Sequence, residues 1–97
     1  MNFEWDPIKN SQNQKKHGVS FEEASLIWEG VHLEVKNIAY STEEEIRHAT
    51  MGWIREIIYV AIWTKRGNKI RLISVRRASK NEEKVFFKKI QDDPGNG

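Results

Sequence analysis

Apolar and polar positions alternate at Phe3-Glu4-Trp5, the period-2 pattern of a short strand. Asp6-Pro7 follows with an N-cap acceptor and a proline for the first helical turn. This predicts a helix to about Lys16 or His17, closed by Gly18 as a left-handed C-cap. Within it only Ile8 is clearly apolar, and Lys9, Asn13, Lys16 and His17 share one polar face at helical spacing. Ser20-Phe21-Glu22-Glu23 is a capping box. It opens a second helix to about Trp28, which buries Phe21, Ala24, Leu26 or Ile27, and Trp28, and ends at Gly30. Val31 to Val35 alternates as a strand, and residues 37–45 form a polar loop in which Glu43-Glu44-Glu45 is solvated. Ile46 to Trp53 fits a strand, or a short helix capped by Thr42 and Glu45.

Ile57 to Thr64 is apolar on both faces, as a central strand must be. Lys65-Arg66-Gly67-Asn68 is a turn between two strand-like runs, so a hairpin leads into Lys69 to Arg77. In that strand Lys69, Arg71, Ile73, Val75 and Arg77 face one side, and Ile70, Leu72, Ser74 and Arg76 the other. Strict alternation therefore gives Arg77, not Arg76, the surface of Arg71. Ser79-Lys80-Asn81-Glu82 is a further capping box, opening a helix to about Ile90 with Val85, Phe86 and Ile90 inward. The order β-α-α-β-β-β-β-α predicts an α+β fold over residues 1–91, a mainly antiparallel sheet packed by two N-terminal helices and one C-terminal helix. Residues 92–97 bury nothing and are expected to be a disordered tail.

Composition narrows the function. A chain of 97 residues has room for one core. The absence of cysteine excludes disulfides and Cys-ligated zinc, and fits a reducing cytoplasm. The longest apolar run, Ile57 to Trp63, is far short of the ~20 residues that span a bilayer. No secretory leader and no membrane role are expected.

Charge is the informative feature. The net +2 conceals −4 over residues 1–48 and +6 over residues 49–97. Between Lys65 and Lys80, seven cations (Lys65, Arg66, Lys69, Arg71, Arg76, Arg77, Lys80) meet no acid. Such a field suits phosphate, nucleic acid or an acidic protein; the plainer reading is a strand edge guarded by lysines. Ile70, Leu72, Ile73, Val75 and Ala78 interleave with these cations, so they stand on ordered structure.

Two blocks resemble a known family. Phe3-Glu4-Trp5-Asp6 with Lys9, Asn13 and Lys16-His17-Gly18-Val19-Ser20-Phe21-Glu22-Glu23-Ala24 is similar to the opening of BrnT-type toxins. Thr64-Lys65-Arg66-Gly67, Ile70-Arg71 and Ile73-Ser74-Val75-Arg76-Arg77-Ala78-Ser79-Lys80 resembles that family's closing signature. Glu45-Ile46-Arg47 and Gly52 match a Glu-Arg pair and a glycine between them. The resemblance implies a RelE/ParE-like fold and a type II toxin that cleaves RNA and halts translation. It also implies a ribbon-helix-helix antitoxin, BrnA-like, through which the pair reaches operator DNA. The substrate would be RNA, either free or as ribosome-bound mRNA. Asn81 and Phe86 depart from the family, where many members carry His and Tyr.

Metal-free RNA cleavage uses the 2′-hydroxyl as nucleophile, and needs a base, donors for the phosphorane charge and an acid for the 5′-oxygen. The three histidines, His17, His32 and His48, show no ligand spacing, so neither a metal nor a cofactor is expected. The catalytic candidates are His17, Arg71, Arg76 and Arg77, with Arg77 and Arg71 as the phosphate clamp. Lys16, Lys65, Arg66, Lys69 and Lys80 are the RNA-binding candidates. Two of these have structural alternatives: Arg76 as the partner of Glu82 or Glu83, and His17 as a C-cap on its helix. His32 and His48 read as ordinary strand residues. Trp5, Trp28 and Trp63 belong to the core, while Trp53 suits either core or contact with a base or partner. Two other readings stay open: a non-catalytic antitoxin-docking or co-repressor module, and a gyrase poison like ParE.

Overall fold

In the computed structural model, residues 2–39 and 41–92 are described; of the tail expected at 92–97, Asp92 instead ends the last helix, and residues 93–97 lie outside the described ones. The chain runs β1 (Asn2–Glu4), α1 (Pro7–His17), α2 (Phe21–Ala24), a 3-10 turn (Ser25–Glu29) and β2 (His32–Val35). It continues through β3 (Arg47–Ile54), β4 (Ile57–Arg66), β5 (Lys69–Arg77) and α3 (Lys80–Asp92). The strands form one five-stranded sheet in the order β1-β5-β4-β3-β2. Neighbours from β2 to β5 pair antiparallel, but β1 joins β5 in parallel, so the sheet is mixed.

The second expected helix is corrected. It is α-helical only over Phe21–Ala24, with the capping box between Ser20 and Glu23 in place, and then tightens into the 3-10 turn. A three-residue repeat stacks Ala24 over Ile27, and both are fully buried while Leu26 is 39% exposed. The ambiguous stretch before Trp53 is strand β3, because it buries both of its faces. Ala49 and Met51 enter one cluster, while on the other side a Cβ added at Gly52 would come within 2.9 Å of Ile27.

Each face of the sheet carries its own cluster. One gathers Val19, Phe21, Ala24, Ile27, Ala61, Trp63, Leu72 and Val75 beneath the N-terminal segment, with Phe3, Trp5 and Trp28 packed against it. The other gathers Met51, Ile58, Val60, Ile62 and Ala78 around Phe86 of α3, with Ile90 alongside. Val85, expected inward, is 51% exposed, because successive helical residues are rotated by about 100° and Phe86 with Ile90 occupies the buried stripe. Trp53 is 38% exposed and edges onto Phe86 and Phe87.

α1 is attached by hydrogen bonds rather than by apolar contact, since its Ile8 is 68% exposed. Asn13, on the polar face it shares with Lys9, Lys16 and His17, is nonetheless buried. Its carboxamide donates to Val75 O at 2.9 Å and to Val19 O at 3.1 Å, and accepts from Val75 N at 3.0 Å. β1 covers β5 from Lys69 to Arg71, and Asn13 takes the place of a strand partner farther along that edge. Asn10 accepts from Phe21 N at 2.8 Å, tying α1 to α2.

Candidate nucleic-acid interface

The basic stretch divides between the two ends of the β4–β5 pair. Arg66 faces Lys69 and Lys65 faces Ile70 at the hairpin end, where Gly67 turns the chain at φ +59°. Arg77 faces Tyr59 at the far end. Between them the register slips: Ile62 opposes Ser74 and Trp63 opposes Leu72, which leaves Ile73 as an extra residue in β5.

This bulge overturns the pairing of arginines expected from alternation. Residues opposite one another share a face, so Arg76 (with Val60) and Arg71 (with Thr64) lie on the α3 face, and Arg77 lies on the other. Arg71 and Arg77 are also six residues apart along a strand, about 20 Å at ~3.3 Å per residue. They cannot clamp one phosphate.

Arg71 and Arg76 are each held by a carboxylate. Arg71 Nη1 lies 2.7 Å from Glu4 Oε2. That hydrogen bond, with the charges of Arg71, Lys69 and Arg66 adding to it, holds Glu4 below the usual carboxylate range. Arg76 grips Glu82 through both guanidinium ends, at 2.8 and 2.9 Å, which bears out its structural alternative. Glu82 Oε1 also accepts from Ser79 N at 2.8 Å, so the capping box and the ion pair share one carboxylate. These bonds, led by that from Arg76, lower Glu82 to about 2. A depressed folded-state value means the stabilisation is complete above about pH 4.5 and vanishes as pH falls through about 2. Glu82→Gln is expected to lose about 1–2 kcal/mol at pH 7, discounted for solvent screening, and to match wild type near pH 2 in urea titrations. An equal difference at both pH values would contradict this.

Among the described residues Lys16, Lys65, Arg66, Lys69, Arg77 and Lys80 make no ion pair. His17 ends α1 half-buried, and its ring bonds to no carbonyl among the described residues; the backbone N–H of Gly18 closes the helix onto Gln14 O at 2.9 Å. The side chain of His17 therefore does not cap. Lys80 opens α3 and is exposed.

The hairpin end also carries a shallow cleft of about 280 Å³, lined by Glu44, Glu45, Ile46, His48, Thr64, Lys65 and Arg66. Glu45 is engaged by Arg47 at 2.8 Å. His48 lies on a strand, as expected from sequence, but its side chain is engaged. Its ring packs on Trp63 with centroids 4.6 Å apart, and its Nδ1 accepts from Asn37 N at 3.0 Å. Burial first, and the charge of Lys36 second, press its pKa below the ordinary histidine value. The available sequence clue was cross-strand placement: once β3 pairs with β4, His48 falls beside the end of the hairpin.

The description "ribonuclease toxin, BrnT, of type II toxin-antitoxin system" matches the chain over residues 5–82. The chain belongs to the BrnT family. No individual curated protein matches it. The match takes in α1, the whole sheet from β2 to β5 and the first turn of α3, and therefore both ends of the basic stretch. A toxin of a type II pair implies an antitoxin partner. Of the two residues expected from the resemblance to depart from the family, Phe86 is fully buried against Trp53 and lies beyond the matched residues, whereas Asn81 is exposed in the first turn of α3.

Proposed function

We propose that this BrnT-family toxin is a metal-independent endoribonuclease of the cytoplasm, which cleaves RNA by 2′-hydroxyl attack and thereby stops translation. A ribbon-helix-helix antitoxin of the BrnA kind covers it and carries it to operator DNA. The observation that carries this reading is the set of cations Lys65, Arg66 and Lys69, which make no ion pair among the described residues and stand beside Arg71 at one end of the sheet. Phosphates of a bound strand are held there, and Arg76, Arg77, Lys80 and Lys16 guide the strand on either side. His17, at the end of α1, is the acid/base candidate that the sequence offers. The seven-cation stretch accounts for acidic or nucleic-acid partners equally, so RNA and antitoxin compete for it.

The test is cleavage of a labelled RNA and its all-deoxy equivalent in excess EDTA, with and without ribosomes. RNA alone is cut, leaving 2′,3′-cyclic phosphate ends, and preformed antitoxin complex binds RNA at least 100-fold more weakly than free toxin. Loss of cleavage in EDTA refutes metal independence. Equal RNA affinity of complex and free toxin refutes the shared surface. No cleavage under either condition, with antitoxin binding intact, turns the assignment to the docking and co-repressor reading.

A further inference from the structure

The cleft at the hairpin end brings together groups that the cation pattern alone does not connect. Lys65 and Arg66 come from the end of β4, His48 from β3, and Glu44 from the loop before β3. Glu44 makes no ion pair among the described residues, while its neighbour Glu45 is occupied by Arg47. A carboxylate with no ion-pair partner, beside an ammonium and a guanidinium in an open cleft, is a base placed next to an anion site.

The hydrogen bond at His48 decides what its imidazole contributes. A backbone N–H can only donate, so Nδ1 carries the lone pair and Nε2 carries the hydrogen. Protonating Nδ1 would break the bond from Asn37 and set two hydrogens against each other. The ring is thereby fixed as a neutral donor, suited to holding an oxygen and unsuited to passing protons. Its lowered pKa agrees with that. A guanidinium does not release its proton either, which leaves Lys65 as the group in the cleft that can act as an acid. The cleft volume of about 280 Å³ lies just under the ~300–1,000 Å³ of small-molecule sites, enough for one sugar and its phosphate.

We propose that this cleft seats the scissile phosphate, with Glu44 as general base, Arg66 and His48 Nε2–H as oxygen donors, and Lys65 as general acid. The inference rests on the ribonuclease reading above. The 2′-O–H bond breaks and its proton passes to Glu44 as the 2′-oxygen bonds to phosphorus. The bond from phosphorus to the 5′-oxygen breaks with its electron pair on oxygen, which takes a proton from Lys65. Glu44 then releases its proton to solvent and Lys65 regains one, so no water is consumed. The products are a 2′,3′-cyclic phosphate and a 5′-hydroxyl.

Nuclear magnetic resonance of the full chain, titrated with a mixed-sequence 2′-O-methyl oligoribonucleotide that cannot be cut, tests the seat independently of catalysis. The expected result is a shift of the His48 Nε2–H resonance and of the amides at 44–48 and 64–66, lost in Arg66→Ala. In cleavage assays Glu44→Gln should lose at least 100-fold in rate while keeping its melting midpoint and its affinity for the uncut oligonucleotide. Lys65→Arg keeps the charge but not the transferable proton, so kcat should fall at least 10-fold with KM within twofold. Perturbations confined to other surfaces overturn the seat. Glu44→Gln cutting within threefold of wild type overturns the base. Absence of cleavage by wild type, with or without ribosomes, refutes the ribonuclease reading and the proton-transfer roles with it, while the titration still decides whether the cleft binds the strand.

Discussion

Asn13→Ala is expected to cost about 3–4 kcal/mol, lowering the melting midpoint by about 15–25 °C. The side chain makes three hydrogen bonds, and its removal strands Val75 N–H, Val75 C=O and Val19 C=O in a region where Asn13 itself is 7% exposed. Each lost bond to a buried partner costs on the order of 1 kcal/mol or more, because water does not replace it. Apolar packing of α1 gives no compensation, since Ile8 points to solvent. Asn13→Asp separates shape from chemistry. It keeps the acceptor for Val75 N–H but turns two donations into carboxylate–carbonyl repulsion, so it should rescue nothing. Denaturant unfolding of the three proteins is the measurement. A loss below 1 kcal/mol for alanine would mean that α1 is held by something other than this carboxamide.

The same residue shows where the sequence was opaque. Helix α1 is announced by Asp6-Pro7 and Gly18, and the capping boxes at Ser20 and Ser79 form as read, because each depends on neighbours within a few positions. The packing face of α1 is not announced, since a buried asparagine on a polar helix is visible only through the strand edge it completes 62 residues away. The bulge at Ile73 lies between these cases. Its mark is present in the apolar phase, which runs through 70 and 72 and then shifts to 75, so strict alternation could have been abandoned from sequence alone. That single residue moves Arg76 onto the face of Arg71 and Arg77 off it. His48 was hidden for a different reason: its hydrogen bond from Asn37 and its neighbours Lys65 and Arg66 exist only after β3 and β4 are in register.

The hairpin cations should show their role in the salt dependence of RNA binding. Replacing Lys65, Arg66 and Lys69 together by glutamine removes three exposed charges that pair with no carboxylate among the described residues. Surface changes of this kind leave stability within about 0.5 kcal/mol, so the fold survives to be tested. For a single strand, each phosphate contact contributes about −0.7 to the slope of log affinity against log salt. Loss of three contacts should flatten that slope by about 2 and weaken binding on the order of 100-fold near 0.1 M salt. The matched control replaces Lys16, Arg77 and Lys80, equal in charge but remote from the hairpin turn, and should change the slope by less than 1. Equal changes in the two triple variants would mean that RNA responds to net charge alone. A larger change in the control would move the binding site to the far end of β5, beside α1, and would return His17 and Arg77 to the centre of the chemistry.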